Sequence, residues 1–397
     1  MHIAYLHYLW GEVSALNHVR QFAAAARQLG HRVDVHAMNL APPHDPVTDG
    51  GPPPWSRRLR EALKRRLARY LHEPKEVLWN PLYVRRETAL LVDDPPDLLL
   101  VRDHTLTASC PTVARRLAVP LVIEVNAPAA ESGLYLDEYF HLPWVSEALE
   151  RWKLRRADAV TVVSGALRDF LVEQHSLPPD KFAVVPNGAD LERFHPDLEP
   201  DPELPPAFRG DAPVVGFVGS FEKWHGTDLL AAMCRTVGEA RPEARFLLVG
   251  DGPERVAVEE ALRPFGDRVL FTGMVPHDRV APLVAAFDVG VVAEAGFYMS
   301  PLKMFEWMAA GCAVVAPSHG PIAEVIDDGV HGLLFPPRDS GALATTVERL
   351  LDDPDLRRRL GRAACEKARA SLSWVDNARR VLEACEQARR RFRPPGA

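Results

Sequence analysis

Short apolar runs recur along the chain, each a few residues long, with amphipathic stretches between them. In the first half the runs fall at 2–7, 32–36, 97–101, 121–125, 159–163 and 182–185. The last four are short apolar runs of the kind found in strands covered on both faces, as in a parallel sheet. Residues 13–29 carry apolar positions at helical spacing and are closed by Gly30, which predicts a helix. Further helices are expected near 107–118, 144–156 and 165–175. A second set of strands is predicted at 214–218, 245–249, 269–271, 289–292, 313–316 and 332–335, with helices between them and at 339–351, 354–370 and 374–391. Two successive β–α alternations imply an α/β protein with two doubly wound Rossmann-like domains facing a cleft.

The boundary is read at 196–213, an acidic, proline-rich stretch taken as a linker. This gives an N-terminal domain at 1–195 and a C-terminal domain at 214–373, with the last helix, 374–397, packing back on the first. A chain of 397 residues suits two cores. The net charge of −7 argues against nucleic acid as a partner. Five scattered cysteines without a C-x-x-C form neither a zinc framework nor a disulfide scaffold, so a cytoplasmic location is expected. No secretory leader is recognised at the start, and no apolar run approaches the ~20 residues that span a bilayer.

Segment 55–75 breaks the rhythm. It holds eight basic and two acidic residues, with Leu59, Leu63, Leu67, Tyr70 and Leu71 at helical spacing. Such a basic amphipathic helix packs its leucines on the N-terminal domain, makes a peripheral contact with an anionic membrane face, or clamps an acidic acceptor.

Chemistry is expected in loops that follow strands. Gly219 ends one strand and leads through Lys223 and His225 to Gly226; the two side chains are candidates for neutralising phosphate. The strand at 245–249 runs into Gly250-Asp251-Gly252-Pro253, but position 255 is Arg, so the third glycine of a dinucleotide fingerprint is missing. Neither half contains a P-loop, and there is no G-x-S-x-G or H-E-x-x-H. Gly273-Met274-Val275-Pro276 forms a turn whose backbone can meet a base edge. In SPLKMFEWMAAG, from Ser300 to Gly311, proline opens a helix whose first N–H groups are unpaired, an arrangement that receives anions. Glu306 lies one and a half turns on, within reach of a hydroxyl attached to such an anion.

Taken together, VVSGALRDFL, VVPNGADLERFHP, FVGSFEKWHG, LLVGDGPE, VLFTGMVPHDRV and SPLKMFEWMAAG resemble the retaining glycosyltransferases of family 4, which have the GT-B fold. The resemblance implies a C-terminal domain that binds a nucleotide-diphosphate sugar, with a UDP- or GDP-sugar expected, and requires neither cofactor nor metal. It implies that Glu306 bonds the ribose and that Ser300, Leu302 and Lys303 meet the diphosphate. Asp251 and Gly252 flank the nucleotide, and Val275 touches the base. Gly219, Ser220, His225 and Tyr298 complete the donor side. Three positions depart from the family pattern: Tyr298 replaces a usual Glu, Ser220 a usual Arg and His225 a usual Lys. Lys303 and Lys223 are the candidate substitutes for the missing cations. On the acceptor side the resemblance points to Gly11 and Glu12, to Arg102, Asp103 and His104, and to Asn126, which replaces a usual His. Any of these is a candidate to hold the acceptor hydroxyl, with Asn126 and His104 the catalytic candidates.

The expected reaction is transfer of a sugar to an acceptor hydroxyl with retention of anomeric configuration. Sugar, lipid-linked and small-molecule acceptors stay open, as do linkage and oligomeric state. The rival readings are a nucleotide-sugar epimerase of the same fold and a non-catalytic nucleotide-sugar-binding protein.

Overall fold

The computed structural model describes residues 1–9, 13–39, 55–129 and 143–394, with the backbone alone at 13–15 and 55–72. Its contacts divide the chain into two units. One comprises Met1–Val162, Arg168–Val184 and Ala378–Ala397; the other comprises Val163–Leu167 and Val185–Asn377.

The first unit is built on a six-stranded sheet: β1 (His2–His7), β2 (Arg32–Ala37), β3 (Leu98–Arg102), β4 (Leu121–Val125), β5 (Ala159–Val162) and β6 (Phe182–Val184). Their order is β2-β1-β3-β4-β5-β6, and every pairing is parallel. β4 and β5 are buried along their whole length, which is why their sequences show no polar alternation. The second unit repeats the plan with β7 (Val214–Val218), β8 (Arg245–Val249), β9 (Val269–Gly273), β10 (Val289–Val291), β11 (Ala313–Pro317) and β12 (Leu333–Phe335), in the order β12-β11-β10-β7-β8-β9. The direction of winding reverses between β7 and β10. Ligands of doubly wound sheets bind beyond the carboxyl ends of the strands at such a point.

The doubly wound α/β expectation is met in both units. Two local expectations are corrected. Segment 196–213 is not a loose linker. Its Leu204 and Phe208 are buried in the core of the second unit beside Phe194, and Asp201 pairs with Arg279 at 2.6 Å. The apolar residues spaced among its prolines anchor it as a strap. The helix that begins at Trp55 continues to Leu91 through Pro74 and Pro81. The two prolines lie seven residues apart, hence on one side of the helix, and both are exposed. The expected membrane contact of 55–75 rests on side chains that, up to 72, fall outside the described residues. No described helix is long and apolar enough to cross a membrane. All five cysteines are buried and unpaired.

Candidate functional site

In the second unit the loops after β7 and β8 nest into each other through backbone bonds. Gly219 N–H donates to Val249 O at 3.0 Å, Phe221 N–H to Asp251 O at 3.1 Å, and Gly250 N–H to Gly273 O at 3.0 Å. The nesting demands glycine at one position above all. Gly250 has φ +124°, and a Cβ there would stand 2.0 Å from the carbonyl oxygen of Gly219.

Beside this loop pair stands the helix Leu302–Ala309. Pro301 is its N-cap, at φ −65° and ψ 121°, rather than its first helical residue. Met304 N–H reaches back to Pro301 O at 3.1 Å, so the N–H groups of Leu302 and Lys303 are the ones without an intrahelical partner. Phe305, Trp307 and Met308 are buried and fix the helix on the sheet, with Glu306 between them. Asn187 donates its Nδ2 to Ser300 O at 2.8 Å and so holds the peptide that enters the helix. Ser300 Oγ is buried and has no hydrogen-bond partner. A buried hydroxyl left unsatisfied next to open amides calls for a partner.

Lys303 brings its Nζ over the ring of Phe217, 4.4 Å from the centroid. It also approaches Gly219, where a Cβ would lie 3.1 Å from Nζ. Burial pushes its pKa down to about 7, with no carboxylate to oppose the effect. His225 donates from Nδ1 to the carbonyl of Ser220, which leaves Nε2 as an acceptor. Burial, then the nearby Lys303, lowers His225 to about 3. His225 is therefore no cation in the ligand-free protein, contrary to the expectation that it neutralises phosphate. Lys223 is exposed on the turn Lys223–His225. Tyr298, expected to meet the donor, is only 2% exposed, and its ring packs edge-on against Phe297 with centroids 5.1 Å apart. A ring so enclosed offers no face to a donor.

Farther along the same edge, Asp251 Oδ1 accepts from Gly252 N–H at 2.8 Å, and its other oxygen is 3.3 Å from Arg255. Val275 is half-buried against the core at the end of β9. Glu306 is mostly covered and has Nε2 of His277 3.7 Å from its Oε1. The structure thus brings Gly219, Ser220, His225, Lys303, Leu302 and Ser300 to one corner of the sheet. Glu306 follows on the same helix, and Val275, Asp251 and Gly252 lie toward β8 and β9.

In the first unit the described acceptor-side candidates are engaged with other residues of the unit. Glu124, at the end of β4, accepts from Arg102 at 2.6 Å and from Asn126 at 2.7 Å on one oxygen. It accepts from Tyr5 at 2.6 Å on the other, and His18 lies 3.4 Å away. Burial alone would raise its pKa; the charges of His18 and Arg102 and the hydrogen bonds overcome this and hold the carboxyl well below the usual range. Arg102 and Asn126 thus each commit one N–H group to Glu124. Asp103 is no open acceptor ligand. Lys153, fully buried, bonds its carboxylate at 2.5 Å and the carbonyl of His104 at 2.6 Å. The ring of His104 meets Thr107 at 3.0 Å through Nδ1. Gly11 and Glu12 lie outside the described residues.

Sequence reasoning did not single out Glu124, Tyr5, His18 and Asn187, which the structure ties to the candidate residues. A signal existed for the first: Glu124 is the lone charge in the apolar run LVIEV. For the others nothing local distinguishes them.

The sequence profile of the group 1 glycosyl transferases matches residues 212–353, and that of Glycosyltransferase Family 4 matches residues 15–193. Over 270 residues the chain is 30% identical to 2-deoxystreptamine glucosyltransferase of Streptomyces kanamyceticus, spanning 66% of this chain and 69% of that protein. It is 27% identical over 314 residues to glycogen synthase of Mycobacterium tuberculosis, spanning 76% and 71%. Among solved structures, sucrose-phosphate synthase from Thermosynechococcus elongatus superposes with a TM-score of 0.72 at 23% identity, over 98% of this chain and 99% of that one. HepE of Anabaena in complex with UDP gives a TM-score of 0.69 at 18% identity, over 96% and 99%. At such identities the structural likeness speaks for the fold.

Proposed function

The chain belongs to glycosyltransferase family 4, a GT-B enzyme that moves a sugar from a nucleotide-diphosphate donor to an acceptor hydroxyl with retention, and from that premise we propose that its donor is a UDP-sugar held at the tip of the helix Leu302–Ala309. The observation that carries the reading is the buried, unpartnered Ser300 hydroxyl beside the open Leu302 and Lys303 amides, with Lys303 Nζ close by. A diphosphate there meets N–H donors, roughly half a positive charge from the helix and a full charge from the amine. Glu306, lower on the same helix, takes the ribose, and the Val275 backbone takes the base. The choice of UDP is supported by HepE, whose structures hold UDP and UDP-glucose.

As the bond between the anomeric carbon and the β-phosphate oxygen breaks, negative charge collects on that oxygen and positive charge on the sugar ring. The helix tip and Lys303 stabilise the first. Tyr298 stands where a family carboxylate is usual, so we propose front-face displacement. The acceptor oxygen then bonds to the anomeric carbon on the side the phosphate leaves, and its proton passes to the departing phosphate oxygen. The charges that stabilise departure come from the protein, so turnover should persist in EDTA.

The test is a thermal-shift panel of UDP-, GDP-, ADP- and dTDP-sugars, followed by transfer assays with the one that binds. A Tm that rises with the logarithm of UDP-sugar concentration supports the reading. A response to another nucleotide alone would overturn the UDP assignment, and binding of all four with equal strength would remove the base subsite.

A further inference from the structure

Glu306 does not stand alone. Its Oε1 faces Nε2 of His277 at 3.7 Å, and Nδ1 of the same ring lies 2.7 Å from NH1 of Arg193. A guanidinium can only donate. Nδ1 is therefore the acceptor, and the ring proton sits on Nε2, the nitrogen turned toward Glu306. At 3.7 Å the His277–Glu306 contact is electrostatic rather than a hydrogen bond. It is nonetheless strengthened by cover, since the two side chains are 26% and 14% exposed.

Each member is held from its own element. Arg193 lies in a turn closed by Asp190, whose carbonyl and carboxylate each accept its N–H at 3.2 Å, and the next residue, Phe194, is fully buried. His277 opens the turn His277–Arg279 after β9, where Arg279 N–H bonds Pro276 O at 2.9 Å. Glu306 is fixed by its buried neighbours Phe305 and Trp307. Three side chains from positions 193, 277 and 306 thus form one line that ends on a carboxylate. Nothing in the transfer chemistry requires the first two, since neither is placed at the helix tip.

We propose that Arg193 and His277 are a positioning pair for Glu306. They turn one carboxylate oxygen toward the imidazole N–H and leave the other to the ribose hydroxyls. The pair thereby sets the preference of the enzyme for ribonucleotide over 2′-deoxyribonucleotide donors. Arg193 selects the histidine tautomer, the histidine orients the carboxylate, and the carboxylate reads the sugar. The inference deepens the reading of Glu306 as the ribose ligand and rests on it.

Calorimetry with matched pairs, UDP with 2′-deoxy-UDP and GDP with 2′-deoxy-GDP, tests it on wild type, Glu306→Gln, His277→Leu, Arg193→Met and His277→Gln. Wild type should prefer the ribonucleotide by at least about tenfold, ~1.4 kcal/mol. His277→Leu and Arg193→Met should lose most of that ratio while binding the 2′-deoxy ligand within about twofold of wild type. His277→Gln, whose amide nitrogen stands near the place of Nε2, should recover part of it. A ratio that Glu306→Gln abolishes but His277→Leu and Arg193→Met retain would sink the pair alone. Equal weakening toward both ligands in those two variants would mark a merely structural role and also overturn the proposal. A ratio unchanged in Glu306→Gln would remove the ribose reading, and the pair with it.

Discussion

Lys303 should take up a proton when the diphosphate arrives. Burial holds its amine at about 7, against an ordinary lysine value of 10.5. The ligand-free protein then carries about half a proton on Lys303 at pH 7 and about a tenth at pH 8. A diphosphate within reach favours the charged form and drives the site toward full protonation. Uptake on binding should therefore be about 0.5 proton at pH 7, about 0.9 at pH 8, and only about 0.1 at pH 6. The diphosphate itself is fully ionised at pH 8, so the signal there belongs to the protein. Calorimetric titration of nucleoside diphosphate at pH 8, in two buffers of different ionisation enthalpy, reads the number directly. Lys303→Met keeps apolar contact with Phe217 and should abolish the uptake. Less than about 0.2 proton in wild type, or full uptake in Lys303→Met, would refute the reasoning. The same shift has a stability consequence. Between pH about 7 and 10.5 the unfolded lysine binds more protons than the folded one, so the stability of the ligand-free protein should rise with pH across that window. Below it this contribution should be flat.

Two further substitutions probe the frame around the site. Gly250→Ala places a Cβ 2.0 Å from Gly219 O at φ +124°, so the loops after β7 and β8 must separate. It should cost roughly 3 kcal/mol or more and weaken donor binding; a wild-type denaturation midpoint would contradict the close approach. Glu124→Gln leaves Arg102 without its buried counter-charge and should cost about 3–5 kcal/mol at pH 7. Because the folded pKa lies below the ordinary 4.5, the stabilisation by Glu124 is present above about 4.5 and fades as pH falls. The gap between wild type and variant should accordingly narrow in acid; equal stability at pH 7 would count against the network.

Much of the fold was legible because strands such as 98–101 and 313–316 are buried on both faces, and that burial is written as unbroken apolar runs. The donor corner was legible for a different reason. Close backbone approaches leave glycines at 250 and 252, side chains crowd the glycine at 219, and a helix tip leaves a proline at 301. The helix from 76 to 91 was not anticipated, since Pro74 and Pro81 read as breaks until their outward placement is known. The acceptor candidates misled because Arg102, Asp103 and Asn126 look available in sequence, whereas partners from other elements, Glu124 and Lys153, already claim them. The state of His225 and Lys303 depends on burial, which no local pattern encodes. His277 and Arg193 acquire meaning only when the fold brings them into line with Glu306.

The most direct measurement is a crystal structure of the enzyme with a nucleoside diphosphate bound. The account predicts phosphate oxygens within about 3 Å of the Leu302 and Lys303 amides, the Ser300 hydroxyl and the Lys303 amine, with the ribose against Glu306. Density for the diphosphate at any other edge of the second sheet, with Ser300 and Lys303 untouched, would contradict it.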